Sequence, residues 1–170
     1  SSGFLEPLES TSIHLIQAGI IQLIEFFPDA GFNATDAEEY NRQSRFHFER
    51  IRDFIILHYH LNQRTDSPFW TACREMDVPP ALKSKMALYR THGRIVRENN
   101  ELFSEVAWLQ VMHGQHLQAA GYHPLVDSLD EDQVATYLRE VHSLIARCAD
   151  VMPDHADFIA RNCAAAPPMA

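Results

Sequence analysis

The chain has 170 residues, of which 46% are hydrophobic and 22% charged, and its net charge is −9 with neutral histidines. These values predict one ordinary globular domain or part of one. The negative charge argues against a nucleic-acid partner, because phosphate binding needs clustered Lys and Arg. Three separated cysteines, Cys73, Cys148 and Cys163, form no Cys-x-x-Cys pair. With no apolar run near the roughly 20 residues that span a membrane, we expect a cytoplasmic protein without a membrane partner.

The beginning of the chain predicts a loop followed by a helix. Residues 1–10 include Gly3 and Pro7 and are predicted to be a loop. A start without Met leads us to expect that this sequence is cut from a longer protein. Apolar residues then recur near helical spacing at Ile13, Ile16, Ile20, Leu23 and Phe27. The segment 28–31, Pro-Asp-Ala-Gly, predicts the end of this helix.

The next two helices are predicted from their capping signals. Asp36 and Glu39 have the spacing of a capping box, and the apolar pattern after them predicts a helix to about Leu61. Ser67 is a suitable N-cap, and Pro68 suits the first position of a third helix.

The remainder of the chain also predicts helices. Pro79 and Pro80 separate the third helix from the fourth, and residues 122–125 are predicted to be a loop. The tail 164–170 is predicted to fray. Further helices are expected at 81–91, 98–112, 130–145 and from Pro153 onward. Since no segment predicts a strand, the fold class is mainly α.

Two loop-to-helix junctions carry chemically interesting side chains. At the first, Glu6 and Glu9 precede three hydroxyl residues at a helix N-terminus, which can hold an anion. At the second, Phe69 and Trp70 follow a turn, and their rings can hold a flat aromatic molecule. From the residues alone, helix capping and core packing are the commoner explanations.

The ten histidines do not predict a metal site. The nearest pairs are His58 with His60 and His113 with His116. Neither pair lies in a His-Glu-x-x-His motif or has a cysteine partner, so we predict no metal.

The first junction resembles a known signature. Residues 3–11, Gly-Phe-Leu-Glu-Pro-Leu-Glu-Ser-Thr, are similar to the signature of flavin-dependent tryptophan halogenases. Further blocks resemble that family in the expected order, at 26–29, 39–42, 66–70 and 122–125.

The resemblance implies the fold and activity of a larger protein. It implies the C-terminal helical part of an α/β FAD-dependent monooxygenase-like halogenase. Residues 1–12 would end a flavin-domain loop, and residues 13–170 would form the helical substrate-binding part. In this family reduced FAD and oxygen convert chloride or bromide to hypohalous acid, which halogenates an indole-type ring. A separate flavin reductase is implied as partner, and the oligomeric state stays open, with a homodimer among the options.

The resemblance assigns roles to the first junction. Glu9 matches the catalytic glutamate. In this family the oxidant reaches the substrate through a tunnel, and Ser10 matches the serine that is proposed to link this tunnel to the glutamate. Thr11 and Ser12 match the halide site, where backbone N–H groups hold the anion. Ile13 matches a flavin-contacting position. Ser12 replaces the usual glycine, so it needs a backbone φ that serine can adopt.

The resemblance also assigns the substrate side. Phe69 and Trp70 match the aromatic pair that stacks on the substrate. His58 and Tyr59 match a pair that is Tyr-Tyr in enzymes acting on free tryptophan, and Thr65 replaces a glutamate that contacts the amino acid there. These departures predict a preference for indole or a larger indole-bearing substrate over free tryptophan.

Two family features are missing from this sequence. There is no Gly-x-Gly-x-x-Gly motif for a dinucleotide. Lys83 and Lys85 do not match the catalytic lysine, which in members of this family lies N-terminal to the blocks seen here. We therefore expect the chain alone to be inactive. A non-catalytic helical interaction module and a gene remnant are the alternative interpretations.

Overall fold

The computed structural model describes residues 5–98 and 101–165, and these contain α-helices, one 3-10 helix and no β-strand. The mainly α fold class is therefore confirmed. The α-helices are α1 (Ser12–Glu25), α2 (Ala34–His60), α3 (Pro68–Glu75), α4 (Pro80–His92), α5 (Glu105–Gly114), α6 (Glu131–Val151) and α7 (His155–Asn162). The predictions made on Gly3, Phe4 and the end of the tail lie outside the described residues. No helix in the described part is long and apolar enough to cross a membrane.

The start of α2 differs from the predicted capping box. Asn33 is the N-cap, and its side chain accepts a hydrogen bond from the Thr35 amide at 2.9 Å. Asp36 is therefore already inside the first turn. Glu39 accepts hydrogen bonds from the Arg42 guanidinium at 2.6 and 2.7 Å instead of reaching back to a cap. The prediction was wrong because a better cap lies three residues earlier.

The ends of α3 and α4 confirm the local signals. Ser67 caps α3 by accepting from the Phe69 amide at 3.2 Å, and Pro68 is the first helical residue. Helix α4 ends at Gly93, whose φ of 66° is the left-handed conformation that glycine adopts without strain.

Later boundaries needed correction. Helix α5 begins only after Ser104, which caps it, not at residue 98. Pro124 and Leu125, predicted as loop, begin the 3-10 helix Pro124–Ser128. Pro153 lies outside α7, because Asp154 caps that helix through the amides of residues 156 and 157.

Helix α1 has the predicted helical spacing of apolar residues, but it buries a different face from the apolar one. Leu15 and Gln22 are its buried residues. The predicted apolar stripe is exposed instead, with Ile13, Ile16, Ile20, Leu23 and Phe27 between 43% and 73% accessible. Periodicity locates an apolar face, but it does not tell which neighbour covers that face.

The chain divides into two compact units, residues 1–123 and 124–170. In the first unit, α2 forms the centre, and Phe54, Leu57, Leu82, Trp108 and Met112 are almost completely buried. A smaller cluster joins α1 to α2 through Leu15, Ile51 and Ile55, with Leu5 and Tyr59 packed against it. In the second unit, the described residues 124–165 include no buried side chain.

Candidate active site

The loop before α1 is attached to the last turn of α2 by two carboxylates. Glu6 accepts a hydrogen bond from the Tyr59 hydroxyl at 2.9 Å, and its other oxygen accepts from the Leu8 amide at 2.7 Å. The hydrogen bond to this carboxylate, together with partial burial, raises the pKa of the Tyr59 phenol above its usual range. Glu6 thus holds both the loop and the tyrosine ring in place.

The second carboxylate, Glu9, contacts the residue before that tyrosine. Its Oε1 lies 3.2 Å from Nε2 of His58, and the two side chains are 32% and 16% exposed. The other ring nitrogen of His58, Nδ1, lies 2.9 Å from the backbone oxygen of Phe54. The edge of the Phe54 ring also packs against the imidazole at 4.9 Å. Since Phe54 is a core residue, the site rests directly on the centre of the first unit.

The first turn of α1 has the features of an anion site. Thr11 is the N-cap and is 2% exposed, yet its hydroxyl caps no amide and has no hydrogen-bond partner among the described residues. Buried hydroxyls are rarely left unpaired. The free amides of a first helical turn and the helix dipole attract negative charge to the same place. A halide would satisfy this hydroxyl and these amides together.

The strained backbone lies at Ser10, not at Ser12. Ser10 has a φ of 51°, and its amide donates to the Pro7 oxygen at 3.0 Å. Ser12 is the first residue of α1 and has no positive φ. Serine is therefore compatible with this helix start. A left-handed non-glycine residue next to Glu9 is an unusual conformation of the kind found at functional sites.

Aromatic rings from α2 and α3 form a group beside these carboxylates. The Tyr59 and Trp70 rings are nearly parallel, with centroids 6.0 Å apart, and Phe69 meets Trp70 edge-on at 4.9 Å. Phe69 remains 55% exposed, so its ring is available to a ligand. The Arg64 guanidinium lies over the Trp70 ring at 4.5 Å and covers part of it.

Thr65 and Ile13, two of the predicted site residues, take no part in the contacts described above. Thr65 is exposed on the loop between α2 and α3, beside an open depression that Ser67 and Thr71 also line. Ile13 is 70% exposed on the first turn of α1 and is thus free to contact a cofactor. Among the described residues, no group of three or more His, Cys, Asp or Glu side chains could hold a metal ion.

Sequence reasoning did not identify the contacts that organise the site. It named Glu9, His58 and Tyr59 but assigned no partner to Glu6, and it gave Arg64 no role. One signal was present: two carboxylates three residues apart face two adjacent polar rings on α2. The sequence separation, 53 residues between Glu6 and Tyr59, hides this match until α2 folds back against the loop.

Comparison with known proteins points to one family. The family model for tryptophan halogenase matches residues 1–131. Tryptophan 7-halogenase RebH from Lentzea aerocolonigenes is 40% identical over 90 residues, which are 53% of this chain and 17% of RebH.

Two solved structures are similar over almost the whole chain. The flavin-dependent halogenase BrvH from Brevundimonas sp. BAL3 aligns with a TM-score of 0.86 at 46% identity, covering 94% of this chain and 32% of BrvH. For Xcc4156, a flavin-dependent halogenase from Xanthomonas campestris, the TM-score is 0.89 at 42% identity, covering 98% and 34%. The chain spans about a third of the length of these halogenases.

Proposed function

Because this chain belongs to the tryptophan halogenase family, we propose that it is the C-terminal part of an FADH2-dependent enzyme that halogenates an indole-type ring. One observation carries this proposal: Glu9 contacts His58, the neighbour of Tyr59 in the aromatic group, and stands two residues before Thr11, whose buried hydroxyl has no partner among the described residues. An anion site, a carboxylate and a platform for a flat ring are the parts of this reaction that the described residues could supply.

In the proposed reaction each part has its own task. When bound, reduced FAD would act together with dioxygen and supply the oxidation of chloride or bromide to hypohalous acid. Phe69 and Trp70 would hold the aromatic substrate by ring packing. As a ring carbon forms its bond to the halogen, the Glu9 carboxylate would stabilise the positive charge and accept the proton that this carbon loses. Ser10 would lie beside Glu9 on the path of the oxidant.

The halide would be held at the start of α1. The Thr11 hydroxyl would donate one hydrogen bond to the halide, and the backbone amide of Ser12 is one of the first-turn donors without an intrahelical partner. Ile13, exposed on the same turn, would face the flavin. These residues fit the two groups, although most of a flavin site lies outside this chain.

The substrate is proposed to be indole or a larger indole-bearing molecule. Free tryptophan requires partners for its ammonium and carboxylate groups. Thr65 carries no charge, and His58 is occupied by Glu9 and by the Phe54 oxygen. Tight and regioselective turnover of free tryptophan, compared with indole at equal concentration, would contradict this substrate class.

The complete enzyme would also depend on a separate flavin reductase as the source of reduced flavin. We propose further that the catalytic lysine and the dinucleotide motif lie outside this chain, and that the chain alone is inactive. A homodimer is compatible with this function but does not follow from it.

The test uses the protein expressed from its complete coding sequence, with a flavin reductase, FAD, halide and indole. We expect Glu9→Gln to lower the rate of ring halogenation by about 100-fold or more, the usual effect of removing a proton-transfer group. Oxidation of halide, measured with a small-molecule trap, should continue. The matched control is Glu6→Gln, which removes a charge from the same loop but keeps an acceptor for Tyr59. Full activity of Glu9→Gln, or no halogenation by the unsubstituted protein, would reject the proposed function and favour a non-catalytic module.

A further inference from the structure

His58 lies between two oxygen acceptors, and this fixes the proton count of the site. Nδ1 is 2.9 Å from the backbone oxygen of Phe54, and Nε2 is 3.2 Å from Oε1 of Glu9. A carbonyl oxygen can only accept, so Nδ1 must carry a proton. A neutral imidazole has no second N–H, and an ionised carboxylate has none to offer. The contact between Nε2 and Glu9 therefore needs one additional proton, on the ring or on the carboxyl.

Both arrangements of this proton give a pair without net charge. An imidazolium facing a carboxylate and a neutral imidazole facing a carboxylic acid contain the same atoms. The His58 side chain is 16% exposed and that of Glu9 is 32% exposed, so water screens the interaction less than at an open surface. In the first arrangement the two groups form an ion pair, which gains a Coulomb attraction that the neutral arrangement lacks.

The imidazole itself is held firmly. Phe54, whose backbone oxygen accepts from Nδ1, is 2% exposed, and its ring edge packs against the imidazole at 4.9 Å. The Phe103 ring stacks on the Phe54 ring, with ring centroids 3.8 Å apart. Core packing thus sets the orientation of His58, and His58 in turn sets that of Glu9.

We infer that His58 is a positioning residue that shares a proton with Glu9 and fixes one carboxylate oxygen, leaving the other to act on the aromatic substrate. This inference rests on the proposed function of Glu9. Preorganisation of a reacting group is worth on the order of 100-fold in rate.

Two amide variants separate the contacts of His58 in the protein expressed from its complete coding sequence. His58→Asn places an amide near Nδ1 and keeps the bond to Phe54, whereas His58→Gln places an amide near Nε2 and keeps the bond to Glu9. We expect His58→Asn to lower kcat for halogenation about 100-fold with KM for indole changed less than about threefold. His58→Gln should restore most of that loss. Full activity of His58→Asn, or equal losses in both variants at equal thermal stability, would overturn the inference.

A spectroscopic measurement tests the proton directly and does not depend on turnover. In protein labelled with ¹⁵N-histidine, the His58 resonance is assigned by its loss in His58→Gln. We expect Nε2 of the unsubstituted protein to carry or share a proton, because it faces a carboxylate oxygen at 3.2 Å. In Glu9→Gln it should become a plain acceptor, because the glutamine amide can donate to it. An identical Nε2 resonance in both proteins would overturn the inference.

The two hypotheses fail in different ways. If Glu9→Gln still halogenates, the proposed function of Glu9 fails whatever the resonance shows. If Glu9→Gln is inactive while His58→Asn is fully active, Glu9 keeps its function and only the positioning by His58 is rejected.

Discussion

Thr11 has a hydroxyl that is buried and yet lacks a partner among the described residues. Leaving a buried donor unpaired costs about 1–3 kcal/mol. A threonine at an N-cap normally avoids this cost by accepting from an amide of the first turn, and Thr11 does not. If the proposed halide site is correct, Thr11 trades a little stability for a donor that an anion can use.

The substitution Thr11→Val tests this interpretation at the residue scale. Without halide, we expect the free energy of unfolding to stay equal or to rise by up to about 1 kcal/mol, because a methyl group replaces an unpaired hydroxyl. In turnover by the complete enzyme, the KM for bromide or chloride should rise about tenfold, since a hydrogen bond to the anion is lost. Thr11→Ser keeps the hydroxyl and is the control. A lower stability of Thr11→Val with unchanged halide KM would show a structural role.

Helix α3 presents the aromatic pair, and its start depends on one hydroxyl. Ser67 accepts from the Phe69 amide, and Phe69 and Trp70 follow in the first turn. We expect Ser67→Ala to lower the free energy of unfolding by about 1 kcal/mol, measured by urea denaturation. Ser67→Asp keeps a capping oxygen and should cost less than half as much. Equal losses in the two variants would mean that the cap is not the cause.

Helix α4 carries two lysines that form ion pairs, one in the protein interior and one at the surface. Lys85 and Glu101 are 2.9 Å apart, with side chains 8% and 1% exposed, whereas Lys83 pairs with Asp77 at the surface. We expect Lys85→Met to destabilise the fold by about 3–5 kcal/mol, because it leaves a buried carboxylate without its partner. Lys83→Met is the matched control and should cost at most about 1 kcal/mol. Combining Lys85→Met with Glu101→Leu should recover most of the loss, and a further loss in this double variant would contradict the explanation.

The elements show which features can be predicted from sequence. The starts of α3 and α6 and the end of α4 follow from residues within one turn, at Ser67, Asp130 and Gly93. These signals lie within one turn of the boundary that they mark, so a short window of sequence contains them. The face that α1 buries and the pairing of Glu9 with His58 depend on how helices pack across many residues. No pattern within a single helix contains that information.

At the scale of the whole chain, burial is concentrated in the first unit. Residues 51–57 of α2 include several almost inaccessible side chains, while the described residues 124–165 include none that is buried. We expect amide hydrogen exchange in the 170-residue chain to be slowest at 51–57 and at least about 100-fold faster throughout α6, since local opening there disrupts little packing. Exchange in α6 as slow as in α2 would show that the second unit is covered in solution.

The attachment of the loop to α2 also has an evolutionary consequence. Because Glu6 contacts Tyr59 and Glu9 contacts His58, the two segments cannot vary independently. A replacement on α2 that alters which substrates are accepted also disturbs the carboxylate that would perform the reaction. Directed evolution of substrate scope in this protein would therefore do best to keep Glu9 and to vary positions 6, 58 and 59 together, since changes at 58 and 59 alter the contacts that hold the two loop carboxylates.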